Sequence, residues 1–306
     1  MEKTLIFSSA SEVRFRADLR FIVPTYLTSL FNTLYTIVDG IFVSSYVGTN
    51  ALAAINIVYP IVNVLYGIAL IFATGGSAVA ALLIGSRREE EANRAFSVSL
   101  ICSLLLGCGI SLLFGLNLSP VLDWLGATPA TMADCQTYAI WWLMGAPLVI
   151  GKELFTYFIR VDGAPTYSFL TALAGGICNI VLDYLLVARL NMGIQGAAAA
   201  TILGLLLSFC MGIFYFAARK KIFRFTTRGL TASLSCRCMV NGVSECVNQL
   251  AIAITTVVFN RTAMVFAGED GIAAVSIIMY LQFLVIGIYF GFSMGIAPPL
   301  GYAYGD

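Results

Sequence analysis

Hydrophobic side chains along this chain do not alternate with polar ones; they come in long unbroken stretches. Eight apolar runs, at 20–43, 52–84, 94–117, 135–159, 166–188, 194–217, 239–266 and 271–300, are each long enough to cross a bilayer, since a helix needs roughly 20 apolar residues to span the hydrocarbon. Runs of this length predict helices, because a transmembrane barrel shows short segments of alternating polarity and lipid admits only helices and closed barrels. The runs are separated by Gly48-Thr49-Asn50, Gly126-Ala127-Thr128-Pro129, Gly163-Ala164-Pro165 and Gly268-Glu269-Asp270-Gly271, residue types that interrupt helices. The expected fold class is all-α, a polytopic helical membrane bundle of about eight spans.

Charge sets an orientation on this pattern. Lys3, Arg14, Arg16 and Arg20 precede the first run, Arg87, Arg88 and Arg94 follow the second, and Arg160 follows the fourth. Arg219, Lys220, Lys221, Arg224, Arg228 and Arg237 follow the sixth. With eight spans all of these fall on one side and the opposite loops hold only Arg189, so the positive-inside rule predicts a cytoplasmic N-terminus. The first run has no small-residue cleavage site after it and reads as a retained span. The expected location is the plasma (inner) membrane, crossed several times.

Composition agrees and excludes. The chain is 59% hydrophobic, 11% charged and has a mean hydropathy of +0.91, where soluble domains carry roughly 25% charged residues. A net charge of +1 gives no reason to expect a nucleic-acid partner. There is no histidine, which removes imidazole metal sites and histidine-based catalysis. Cys236 and Cys238 have no second pair to complete a zinc site. No cofactor and no enzymatic activity are expected, and lipid is a partner by necessity.

Shifting the sequence by 220 residues reveals an internal repeat. Over 38 ungapped positions nine residues coincide, among them the glycine pairs Gly48–Gly268, Gly67–Gly287, Gly75–Gly295 and Gly85–Gly305. The repeat unit holds six spans, an even number, so both copies have the same orientation, as in transporters built from parallel repeats with a site between the halves. The expected organisation is an N-terminal lobe over 1–218, a basic cytoplasmic linker over 219–237 and the first two helices of a second lobe over 238–306. The chain is then expected to be a fragment or a truncated form of a twelve-span protein.

Polar residues inside the apolar runs are the candidate chemistry. A charged side chain in a span costs roughly 3 kcal/mol on insertion scales and marks function by default. Asp39 lies towards the outer end of the first run, with Tyr35 and Asn32 on its face one and two turns below. Asn179 and Asp183 share a face of the fifth run, and Thr201 lies early in the sixth. All sit at similar depth and offer oxygens, which suit a hard cation such as sodium; alternatively a carboxylate there carries a proton. The competing reading places Asp39 and Asp183 at the outer interface, solvated. Glu245 in the seventh run shares a face with Asn241, Asn248 and Gln249, and reads either as a second cation site or as a cytoplasmic-end residue near Arg237. Asn56, Tyr59 and Asn63 form a stripe that could line a cavity, and Gln249 and Gln282 are further lining candidates. Adjacent Lys152 and Glu153 point about 100° apart on a helix and are not expected to pair with each other.

These residues resemble the multidrug and toxic compound extrusion (MATE) family. The resemblance rests on Pro24 with Asn32 to Val43, Gly48 with Ala51 to Ala54, Arg160 to Pro165, Asn179 to Asp183, Gly193 to Ala198 and Gly242 to Glu245. It implies a secondary active transporter, a sodium- or proton-coupled antiporter that exports drugs or other small organic cations by rocking two six-helix lobes. It implies a cation site on Asp39, Asn179, Asp183 and Thr201 with Tyr138 nearby, and in some branches a second-lobe site at Glu245. A lipid-linked oligosaccharide or lipid flippase of the same superfamily, and an inactive truncated product, are the alternatives. The flippase handles phosphate and favours arginines in its cavity, whereas only Arg261 lies well inside a run.

Overall fold

The computed structural model describes residues 11–218 and 222–305, so Lys3, Arg219, Lys220 and Lys221 of the charge pattern lie outside the described residues. The order of elements is α1 (Ser11–Tyr46), α2 (Thr49–Gly85), α3 (Glu89–Leu116), α4 (Leu118–Leu125), α5 (Met132–Met144), α6 (Ala146–Val161), α7 (Pro165–Asp183), a π-helical turn (Tyr184–Arg189), α8 (Gly193–Ala217) and α9 (Ala232–Gly305). No strand occurs among the described residues. Seven helical stretches are long and apolar enough to cross a membrane; the chain is an all-α polytopic membrane protein.

The fourth expected span is two helices, α5 and α6, that meet at Gly145. Pro147 lacks an N–H, so the Leu143 carbonyl loses its helical donor, and the Ser111 hydroxyl on α3 donates to that carbonyl at 2.5 Å. The same device holds α2. Pro60 deprives the Asn56 carbonyl of its donor, and Asn260 Nδ2 on α9 approaches it at 3.4 Å. In lipid a freed carbonyl needs such a partner from a neighbouring helix.

The seventh and eighth expected spans run on as α9, interrupted at Gly268, whose φ of 61° and ψ of −147° divide it into two arms. Its first arm begins at Ala232, inside the expected linker, and therefore includes Arg237. The shorter connection left before it is docked on the bundle. Phe223 is fully buried against Phe96 and Phe158, and the Ile222 and Thr226 N–H groups donate to Asp162 Oδ1 and Ser97 Oγ at 2.8 Å each.

Helix α2 is the central column, with 78% of its apolar stretch buried against 17% for α1. It crosses the first arm of α9 so closely that a Cβ on Gly75 would lie 2.6 Å from the Gly242 nitrogen, and one on Gly67 would lie 3.5 Å from Gln249 Cβ. The second arm crosses α1 in the same manner, Gly295 against Ile22 and Gly287 against Ser29. Both pairs of crossings are related by the 220-residue offset of the sequence repeat.

Candidate cation site

Three helices build the site, and glycines let them approach. A Cβ on Gly176 of α7 would lie 2.4 Å from Phe31 and 3.1 Å from Tyr35 of α1. A Cβ on Gly204 of α8 would lie 2.6 Å from the Gly175 carbonyl oxygen and 3.1 Å from Asn179 Cβ. Helix α7 is therefore drawn against α1 on one side and α8 on the other. Its last α-helical residue is Asp183, where the π-helical turn begins, a local widening found often at functional sites.

The structure brings Asp39, Asn179, Asp183 and Thr201 together. The Asp39 and Asp183 carboxyls lie within hydrogen-bond reach of each other, and Asn179 adjoins Asp183. Asn179 Nδ2 approaches Thr201 Oγ1 at 3.5 Å, and the Thr201 hydroxyl donates to the Ala197 carbonyl at 3.1 Å. Asp183 is fully buried and Asn179 nearly so. Asp39 Oδ1, Asn179 Oδ1 and both carboxylate oxygens of Asp183 are buried and meet no donor among the described residues. Buried acceptors without donors are costly, and two carboxylates this close repel unless a proton or a cation lies between them.

A cavity of about 90 Å³ opens beside the cluster, lined by Asp39, Tyr35, Thr36, Asn56, Tyr59, Tyr66, Tyr138, Trp142, Thr201 and Met279. Behind it a recess of about 20 Å³ is lined by Asn32, Tyr35, Lys152, Asn179, Thr201 and Ser208. Tyr35 and Thr201 border both. Asn63 is buried with Nδ2 unmatched among the described residues and does not line the cavity. Tyr66 and Trp142 were absent from the sequence-based candidates. A signal existed, since Tyr66 extends the Asn56, Tyr59, Asn63 stripe and Trp142 lies one turn beyond Tyr138.

Two expectations fail here. Lys152 and Glu153 do pair, Nζ to Oε1 at 2.6 Å, with side chains only 7% and 13% exposed; flexible stems bend across the angle that separates their Cβ directions. Arg160, expected among the loop cations, is buried in α6, where its Nε donates to Ser168 Oγ at 3.3 Å and its guanidinium sits 5.0 Å from the Tyr157 ring centre.

The second-lobe candidates lie elsewhere. Glu245 is half-buried with Oε2 unmatched among the described residues. Asn241 and Asn248 are exposed, Asn241 donating to the Arg237 carbonyl, and Gln249 abuts Gly67 of α2. Gln282 lines a separate pocket between the two arms of α9, with Thr255, Thr256 and Phe259.

The family model described as MatE matches residues 24–185, more than half of the chain. This chain belongs to the MatE family. The matched segment carries Asp39, Tyr138, Asn179 and Asp183. Among curated MatE-like relatives, the multidrug export protein MepA of Staphylococcus saprophyticus is 27% identical over 221 residues, 72% of this chain and 49% of its own length. MepA of Staphylococcus haemolyticus is 24% identical over 305 residues, 99% of this chain and 67% of its own. A solved MOP superfamily transporter from Pyrococcus furiosus superposes with a TM-score of 0.84 at 27% identity, over 94% of this chain and 64% of that one. The chain thus spans between about half and two thirds of the length of the relatives it matches.

Proposed function

We propose that this MatE chain works in a secondary active transporter that exports drugs or other small organic cations in exchange for inward-moving sodium ions or protons. One observation carries the reading: carboxylate, amide and hydroxyl oxygens of Asp39, Asn179, Asp183 and Thr201 converge from three helices with no donor to meet most of them. Such a set binds a positive ion. Two carboxylates, an amide oxygen and a hydroxyl suit sodium, and the mutual reach of Asp39 and Asp183 equally suits a shared proton. Cation entry neutralises the pair and permits closer packing of α1 on α7; its loss restores repulsion. That difference gives the ion a preference between two conformations, the requirement for any ligand-driven shift.

The aromatic cavity beside Asp39 fits the substrate class. Tyr35, Tyr59, Tyr66, Tyr138 and Trp142 line it, and aromatic ring faces attract organic cations. Substrate and coupling ion then compete for the same negative charge, which is the physical basis of antiport. The Staphylococcus relatives are multidrug export proteins, which points the same way. The N-terminal lobe, 1–218, and the second lobe, of which 238–306 supplies the first two helices, are the moving bodies, and the N-terminus faces the cytoplasm.

The test is efflux of a fluorescent cation from cells expressing Asp39→Asn or Asp183→Asn, with membrane insertion checked by immunoblot. Each variant is expected to lose at least about tenfold in rate while inserting normally, the loss expected for a missing essential charge. Normal efflux by Asp39→Asn overturns the proposal. Imposing a sodium or a pH gradient separately on proteoliposomes identifies the coupling ion.

A further inference from the structure

At the end of the bundle where α2 turns into α3, the turn from Val161 to Pro165 joins α6 to α7, and α8, the connection after it and α9 converge on it. Asp162 holds the first two. Its Oδ2 accepts from the Tyr215 hydroxyl of α8 at 2.6 Å, and its Oδ1 accepts from the Ile222 N–H of the connection at 2.8 Å. With both carboxylate oxygens engaged, the turn is fixed on the first lobe. The neighbouring Val161 carbonyl is left over, because the residue four places on is Pro165, which has no N–H to give it. The hydroxyl of Tyr302, near the end of the second arm of α9, donates to that carbonyl.

This bond ties one lobe of the repeat to the other, and the lobes touch closely around it. The Tyr302 ring meets Phe21 of α1 edge-on, with centroids 6.4 Å apart. A Cβ on Gly301 would lie 2.8 Å from Ala81 Cβ of α2. Cys238 of the first arm is fully buried in the same seam, beside Ser99 of α3. The cavity at the cation site borders Asn56 and Tyr59 near the start of α2, roughly 30 Å from Ala81 at the rise of an α-helix. A cavity towards one end and a sealed seam at the other are what alternating access requires of one of its two states. We propose that Tyr302 is a gate residue: its bond to the Val161 carbonyl holds the lobes shut at this end and breaks each time the cavity opens there. The inference rests on the two-lobe antiport reading above. One neutral hydrogen bond suits the task, since water takes the place of each partner when the seam opens and the net cost of parting them is small.

The experiment exposes the full chain in lipid nanodiscs to a water-soluble maleimide and follows each cysteine by mass spectrometry. Cys238 reports the seam, exposed Cys236 on the same arm reports access of the reagent, and Cys135, buried in the core of the first lobe, reports unfolding. Trypsin cuts after Arg237 and so parts Cys236 from Cys238, and fragment spectra part Cys238 from Cys246. Tyr302→Phe removes the hydroxyl and keeps the ring. It is expected to speed alkylation of Cys238 about fivefold, the population shift of one hydrogen bond, with Cys236 and Cys135 unchanged. An unchanged rate at Cys238 overturns the proposal, and so does acceleration of Cys135 alongside Cys238, which marks general loosening of the fold. The alkylation needs no transport, so its failure removes the gate alone, while the antiport reading stands or falls on efflux by Asp39→Asn.

Discussion

Two pairs of ionisable side chains lie near Tyr35, and they differ in how their charge is balanced. Lys152 and Glu153 neutralise each other on a single helix, at 2.6 Å. Asp39 and Asp183 come from different helices, carry the same sign and find no donor for three of their oxygens among the described residues. The first arrangement is complete as it stands. The second is complete only when a cation or a proton joins it. A neutral buried pair is therefore architecture, whereas an unmatched one has work to do on something that comes and goes. The difference also predicts opposite mutational signatures, in stability for one pair and in transport for the other.

The largest expected effect on transport is the loss of efflux in Asp39→Asn and Asp183→Asn. The same variants are expected to melt no lower in detergent than the parent chain, because each removes a buried charge that lacks a partner. A drop in melting temperature with efflux retained would reverse the comparison. The largest expected effect on stability is that of Lys152→Met, which leaves Glu153 buried and unpaired at a cost of about 3–5 kcal/mol. The double variant Lys152→Met with Glu153→Leu is expected to recover most of that loss in the same thermal unfolding assay. If the double variant is no better than the single one, the pair has a role beyond mutual neutralisation.

Smaller effects sharpen how the site is held. Gly204→Val places a side chain 2.6 Å from the Gly175 carbonyl oxygen and 3.1 Å from Asn179 Cβ. Overpacking of this kind costs about 1–3 kcal/mol. It also separates α7 from α8, so efflux is expected to fall along with stability. Ser111→Ala leaves the Leu143 carbonyl without its side-chain donor, with an expected loss of about 1 kcal/mol and little change in transport, since Ser111 lines neither the cavity nor the recess. Thermal unfolding in detergent alongside dye efflux reads both outcomes.

Much of the fold was legible because lipid imposes a simple rule on sequence. Seven apolar helical stretches fall on expected runs, six of them with boundaries within several residues and the last, Val285–Tyr304, starting well inside the run expected at 271–300; polar flanks extend the helices beyond the runs, as at the start of α9. The break at Gly145 was not legible from hydropathy, because a run stays apolar whether or not Pro147 divides it. Asp39, Asn179, Asp183 and Thr201 could be grouped by depth from their positions along the runs. Depth says nothing of azimuth, and azimuth decides whether side chains meet.

Sequence alone therefore determined that the chain lies in lipid as a helical bundle, that its two ends echo each other at an offset of 220 residues, and which few polar groups are costly enough to matter. Only the tertiary structure decided which of those groups face one another. It turned Asp39 and Asp183 together, gave Glu153 to Lys152, buried Arg160 against Tyr157, and set Glu245 apart from the N-terminal cluster. The reason is geometric. Hydropathy is a property of one helix in its medium, whereas a site depends on how closely helices pack and how they are rotated. Those quantities are set by contacts such as Gly176 on Phe31 and Gly204 on Gly175, between residues far apart in the chain or on different helices.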